Sequence, residues 1–259
     1  DYENVNKSGE TFVAWCWNTQ GGAGSSNTDG SINTTSTSVN TTAGFSISTY
    51  TGTGSAATIG HGLGAIPSVV LVKKRSDAVD WIMYHISLGN GKNARLNTNE
   101  AADTSSAPWN ATTPTSSVFS VGDFTGTNVD TETFVAYCFA EKQGYSKFGS
   151  YTGNGKTGID GAFVYTGFRP AWLMVKRTNS AANWCIFDSK REGYNGDNEY
   201  LIANTTAAGG VGTYFDILSN GFKPLTSDGE WNGSGDSYIY MAFAEQPLVN
   251  SNGVSTNAR

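Results

Sequence analysis

Apolar residues along this chain come in short runs broken by Gly, Asn, Ser and Thr, the rhythm of strands and turns rather than of amphipathic helices. The clearest predicted strands cover 12–17, 45–50, 68–73, 81–84, 134–140, 162–167, 172–176, 184–187, 214–218 and 238–244. Pro67 and Pro170 each stand just before one of them, where a missing N–H removes no ladder bond. In 134–140, Phe134, Ala136, Cys138 and Ala140 share one face, and Val135, Tyr137 and Phe139 the other. Both faces are apolar, so this strand is expected in mid-sheet with cover on each side. Many short strands with Gly-rich turns predict an all-β chain built from β-sandwiches.

The runs repeat. Thr133-Phe-Val-Ala-Tyr-Cys-Phe-Ala-Glu141 returns as Ser237-Tyr-Ile-Tyr-Met-Ala-Phe-Ala-Glu245, and Thr11-Phe-Val-Ala-Trp-Cys-Trp17 anticipates both. Tyr50-Thr-Gly-Thr-Gly54 matches Tyr151-Thr-Gly-Asn-Gly155, Val69-Val-Leu-Val-Lys73 matches Trp172-Leu-Met-Val-Lys176, and Trp81-Ile-Met-Tyr84 matches Trp184-Cys-Ile-Phe187. The offsets stay between 101 and 104, so an internal duplication is predicted. It gives two tandem β-sandwich-like domains, 44–144 and 145–245, each near the usual domain size. Before them, 1–43 holds an extra N-terminal strand and a Gly/Ser/Thr/Asn-rich connector, and 246–259 forms a C-terminal tail. The early strand is read either as the last strand of a preceding domain or as an addition to the first unit.

Composition narrows the partners. Charged residues are only 15% of the 259, and Ser, Thr and Asn together make up roughly a third, so polarity is mostly uncharged. The net charge of −6 argues against nucleic acid, and the basic run Lys73-Lys-Arg75 reads as a solvated strand end. No apolar run reaches the ~18 residues of a membrane helix, and no signal peptide is read at the start, so no membrane insertion is expected. Cys16, Cys138 and Cys185 lack metal-ligand spacing and are expected as structural thiols at small buried positions.

Catalytic candidates are few, and none is assigned. His61 and His85, the only histidines, read as turn and strand-end residues, with Val164 and Asp188 in the matching places of the second unit. No Gly-x-Ser-x-Gly elbow accompanies them. Glu141 and Glu245 occupy equivalent strand ends, one per unit, rather than facing each other across a sugar. Asp188, Glu192, Asp197 and Glu199 cluster in one loop and could hold calcium through hard oxygen ligands. Sugar binding has the stronger physical case, because saccharides present apolar CH faces beside neutral hydroxyls. Trp109-Asn110 and Trp231-Asn232, outside the predicted strands, supply that chemistry, although each Trp could instead cap its own core. Trp81 and Trp184 read as core.

Five stretches carry a resemblance. They are Glu10-Thr-Phe-Val-Ala-Trp-Cys-Trp17, His61-Gly-Leu-Gly64 with Pro67, Phe134 through Phe148, Phe163-Val-Tyr-Thr-Gly-Phe168 and Tyr240-Met-Ala-Phe-Ala-Glu245. They resemble the C-terminal region of tail-fibre-like virion proteins of tailed, particularly marine, bacteriophages. The resemblance implies a non-enzymatic structural or adhesive role on the surface of a virion appendage. Its partners would be other virion proteins and a host-surface receptor, with a glycan as one candidate. By analogy with fibrous virion proteins it also implies a homo-oligomer, a trimer first. A capsid or head decoration protein and a glycan-degrading tailspike-like enzyme are the alternatives.

Overall fold

In the computed structural model, residues 7–19, 22–191 and 195–245 are described. The fold is all-β, with two short 3-10 turns at Ala107–Trp109 and Gly158–Asp160 as the helical elements among those residues. The first half contributes β1 (Ser36–Asn40), β2 (Phe45–Thr51), β3 (Ala57–Gly60), β4 (Val69–Lys74), β5 (Ile82–His85), β6 (Ala94–Arg95), β7 (Val118–Val121) and β8 (Thr133–Phe139). The second contributes β9 (Ser146–Thr152), β10 (Val164–Tyr165), β11 (Trp172–Arg177), β12 (Cys185–Asp188), β13 (Asn198–Ile202), β14 (Gly210–Gly212), β15 (Phe215–Leu218), β16 (Gly221–Pro224) and β17 (Ser237–Phe243).

Each half builds one antiparallel main sheet. The first runs β1-β2-β8-β4-β5-β6, and the second runs β9-β17-β11-β12-β13-β14 from its edge. Without β1 and β14 the two orders are the same, with the closing strand inserted between the first and third in each half. A smaller sheet covers one face of each main sheet, β3-β7 in the first half and β10-β16-β15 in the second. The opposite faces of the two main sheets meet across a shared inner core of Phe45, Val69, Met83, Phe139, Trp172, Trp184, Met241 and Phe243 with their neighbours. The layers therefore run small sheet, main sheet, main sheet, small sheet, so the halves are stacked rather than strung side by side.

Period-two patterning makes this possible. In β8, Phe134, Ala136 and Cys138 fill the first outer core, while Phe139 and Tyr137 turn to the inner one. In β17, Tyr238, Tyr240 and Ala242 fill the second outer core, and Ile239, Met241 and Phe243 the inner. Polar bonds also cross between the halves. Trp184 Nε1–H donates to Arg95 O at 2.8 Å, Lys176 Nζ to Asn99 O at 3.3 Å, and the Ala102 N–H to Thr178 O at 2.9 Å.

Two expectations for the N-terminal region need correction. Residues 12–17 join no ladder. The inward Trp15 and Trp17 dock edge-on against Trp172, 6.4 and 5.3 Å between ring centroids, while Phe12 and Val13 stay 51% and 37% exposed. Aromatic docking fixes the segment without strand pairing. The added strand is instead β1, inside the stretch expected as connector. Its Ser and Thr side chains hid it, yet it pairs with β2 through five registered positions. The tail 246–259 lies outside the described residues.

Candidate functional site

The predicted sugar readers are not at the surface. Trp109 is 1% and Trp231 5% exposed, and they fill opposite outer cores. Trp109 meets Tyr84 edge-on at 5.9 Å, and Trp231 packs on Tyr214 at 4.3 Å. Neither ring offers a face to a saccharide. Both follow turn-rich stretches, and their size is spent closing the open end of a core. Asn110 is exposed, but its φ of 49° marks it as the left-handed residue ending a 3-10 turn.

Asn232 is wholly buried and ties two loops together. Its Oδ1 accepts the Asn154 N–H at 2.9 Å, and its Nδ2 donates to Lys156 O at 2.9 Å. Asn128 does the same in the first half, accepting from the Thr53 N–H at 2.8 Å and donating to Ser55 O at 2.6 Å. A role met twice in the same loop is a structural clamp. The hydroxyls beside it repeat too: Tyr50 donates to Thr127 O and Tyr151 to Trp231 O, both at 2.6 Å.

The expected calcium ligands are occupied by a cation of the chain itself. Arg191 Nε donates to Asp188 Oδ2 at 2.6 Å, and its guanidinium lies 3.5 Å from Glu199 Oε1. Burial works to raise the Asp188 carboxyl, but the Arg191 and Lys190 N–H groups and the guanidinium outweigh it and hold it below the ordinary value. Asp197 accepts from Thr213 Oγ1 at 3.1 Å, and Glu192 lies outside the described residues. Among the described residues no group of three or more His, Cys, Asp and Glu is placed to hold a metal ion.

The histidines hold turns. His85 is buried; its Nδ1 accepts the Ser87 N–H at 3.1 Å, so Nε2 carries the proton and donates to Tyr240 O at 3.1 Å. Burial lowers its pKa to about 4. Asp188 opposes Trp172 as His85 opposes Val69, and it accepts the Lys190 N–H in the same way. His61 Nδ1 accepts the Leu63 N–H at 3.2 Å, and its counterpart is Thr166, whose Oγ1 accepts the Phe168 N–H. The expected match with Val164 is thus two residues short, because Val164 answers to the buried Ile59. Cys138 and Cys185 are buried, and desolvation pushes both thiols up to about 12, whereas Cys16 is exposed against expectation. Trp184 is core as expected; Trp81 is only half-buried and stacks on Tyr137. Lys74 is buried and pairs with Asp77 and Glu132, so the basic run is not simply solvated.

Three of the exposed large apolar residues lie in β10 or in the chain just before it. Ile159, Phe163 and Tyr165 are 89%, 51% and 63% exposed. Phe163, just before β10, and Tyr165 within it flank the buried Val164, so both rings project to the side opposite Val164. A cleft of about 350 Å³ beside Tyr165 is lined by Glu141, Gln143, Ser146, Lys147 and Gly167. Lys147 Nζ donates to Glu141 Oε1 at 2.7 Å across it. A second cleft of about 360 Å³, between the halves, is lined by Ser87, Lys92, Ser150, Asn179 and Ser237 with Tyr151 and Tyr238.

These features define an all-β protein with four layers and a small exposed aromatic face. The chain belongs to the family described as Domain of unknown function (DUF7483), whose model matches residues 1–247. No curated protein and no solved structure matches it.

Proposed function

We propose that this chain is a non-enzymatic structural and adhesive module of a tailed-phage virion appendage, a tail fibre or similar organ, that contacts the host surface. The exposed rings of Phe163 and Tyr165, two residues apart on the second small sheet, carry the reading, since neighbouring aromatic side chains left bare favour a partner. The resemblance to tail-fibre-like proteins supplies the context. A mostly uncharged polar composition suits hydrogen bonding to neutral surfaces better than to phosphates. Descent of both halves from one duplicated unit is part of the proposal, supported by the shared strand order and the repeated asparagine clamp. Assembly as a homotrimer belongs to it as well, and sedimentation of the purified chain measures it.

The test is competition. Excess free chain should lower adsorption of the phage that carries it, and gold-labelled antibody should mark the tail. Unchanged adsorption with label on the head would favour a decoration protein instead. Release of reducing ends from host polysaccharide would favour the glycan-degrading reading. For that chemistry Glu141 is poorly prepared, because Lys147 already holds its carboxylate.

A further inference from the structure

Resting on that adhesive reading, we propose that the cleft beside Tyr165 is a subsite for a neutral oligosaccharide. A pyranose offers an apolar CH face and a rim of hydroxyls that both donate and accept. Tyr165 presents a ring 63% exposed, and Phe163, two residues earlier on the same strand face, presents a second about 7 Å along. Gln143 brings an amide that donates and accepts, and the Glu141–Lys147 pair brings acceptors and donors whose charges cancel. That cancellation favours neutral sugars over sulfated, phosphorylated or uronic ones. Tyrosine has few rotatable bonds, so ordering it on binding costs little. Gly167, with φ +85°, runs its backbone beside the Tyr165 ring, a conformation other residues adopt only with strain.

The first half supplies the contrast. Where the second half has Tyr165, the first has Gly60, and a Cβ there would sit 1.7 Å from Asn27 Oδ1. Residues 27–34 run along the edge of β3, with the Ile32 N–H donating to Thr58 O at 3.0 Å and Ile32 buried in the outer core, and they bring the Asn27 side chain onto Gly60. In one half the position is a glycine under an asparagine side chain. In the other it is an exposed tyrosine with the exposed Phe163 two residues earlier.

Saturation-transfer NMR of the full chain would test this with neutral tetra- to hexasaccharides of glucose, galactose, mannose and N-acetylglucosamine. At least one should receive magnetisation on its ring CH protons. Tyr165→Ala should weaken that ligand at least tenfold and Gln143→Ala by a smaller factor, with melting temperatures unchanged, while Tyr165→Phe keeps binding. A silent panel at millimolar sugar, or wild-type affinity in Tyr165→Ala, overturns the subsite. A silent panel with adsorption still blocked removes the subsite and leaves the adhesive reading. Sugar binding without any block removes the adhesive reading and leaves the subsite.

Discussion

The two outer faces of the molecule start from the same scaffold and end differently. In the first half, the edge of β3 is occupied by residues 27–34, which bond its backbone, bury Ile32 and lay Asn27 on Gly60. In the second, β10 has a neighbour on one side only, and Phe163 and Tyr165 stand out from it. The parts that hold each half together are conserved in kind across this difference: a tyrosine hydroxyl on a loop carbonyl, an asparagine clamp, and a strand-end acceptor closing a turn. Scaffold and decoration are therefore separable. What repeats is structural, and what fails to repeat is the side chain shown at the surface.

That separation can be attacked in order of expected effect. Trp184 fills the inner core shared by both halves, so Trp184→Ala should cost about 3–5 kcal/mol in chemical denaturation. Loss of only one half's signal would count against a shared core. Next is pH. His85 has its folded pKa lowered to about 4 against an ordinary 6.5, so the unfolded chain binds the proton more readily between these values. Its contribution is complete above pH 6.5 and is lost as pH falls through 4, roughly 3 kcal/mol in all. His61, also lowered by burial, adds in the same direction. Melting of wild type and His85→Gln between pH 7 and 4.5 should show a steeper acid loss in wild type. Asn128→Ala and Asn232→Ala should each cost about 1–3 kcal/mol by orphaning buried loop groups. Markedly unequal losses would break the equivalence of the two clamps. Tyr50→Phe and Tyr151→Phe should cost about 1 kcal/mol apiece. Tyr165→Ala should change stability by less than about 0.5 kcal/mol, since the ring is exposed.

Much of the scaffold was legible in the residues. The double-faced apolar run 134–140 became the mid-sheet β8, and Val69–Lys74 and Trp172–Arg177 fell where their Val- and Leu-rich runs indicated. Strands such as β1, β3 and β9 were harder to see because Ser, Thr and Gly fill them, so pairing and not hydrophobicity defines them. The N-terminal motif misled for the opposite reason: it has the composition of a closing strand, but its tryptophans dock on side chains instead of a ladder. The candidate site was misplaced by the premise that loop aromatics are exposed. Trp109 and Trp231 sit in loops yet plug cores, while the exposed rings lie within the predicted strand 162–167. The signal was there in its alternation, since Phe163 and Tyr165 share the face opposite Val164, and a strand at the sheet edge shows one face to water. Arg191 within the acidic loop was likewise readable as the cation those carboxylates would meet.

The central claim is that both halves lean on one inner core and form a single cooperative body. Scanning calorimetry of the full chain addresses it directly. One transition with equal calorimetric and van't Hoff enthalpies is the predicted result. Two resolved transitions, each with about half the heat, would mean that the halves fold as separate sandwiches, and would contradict it.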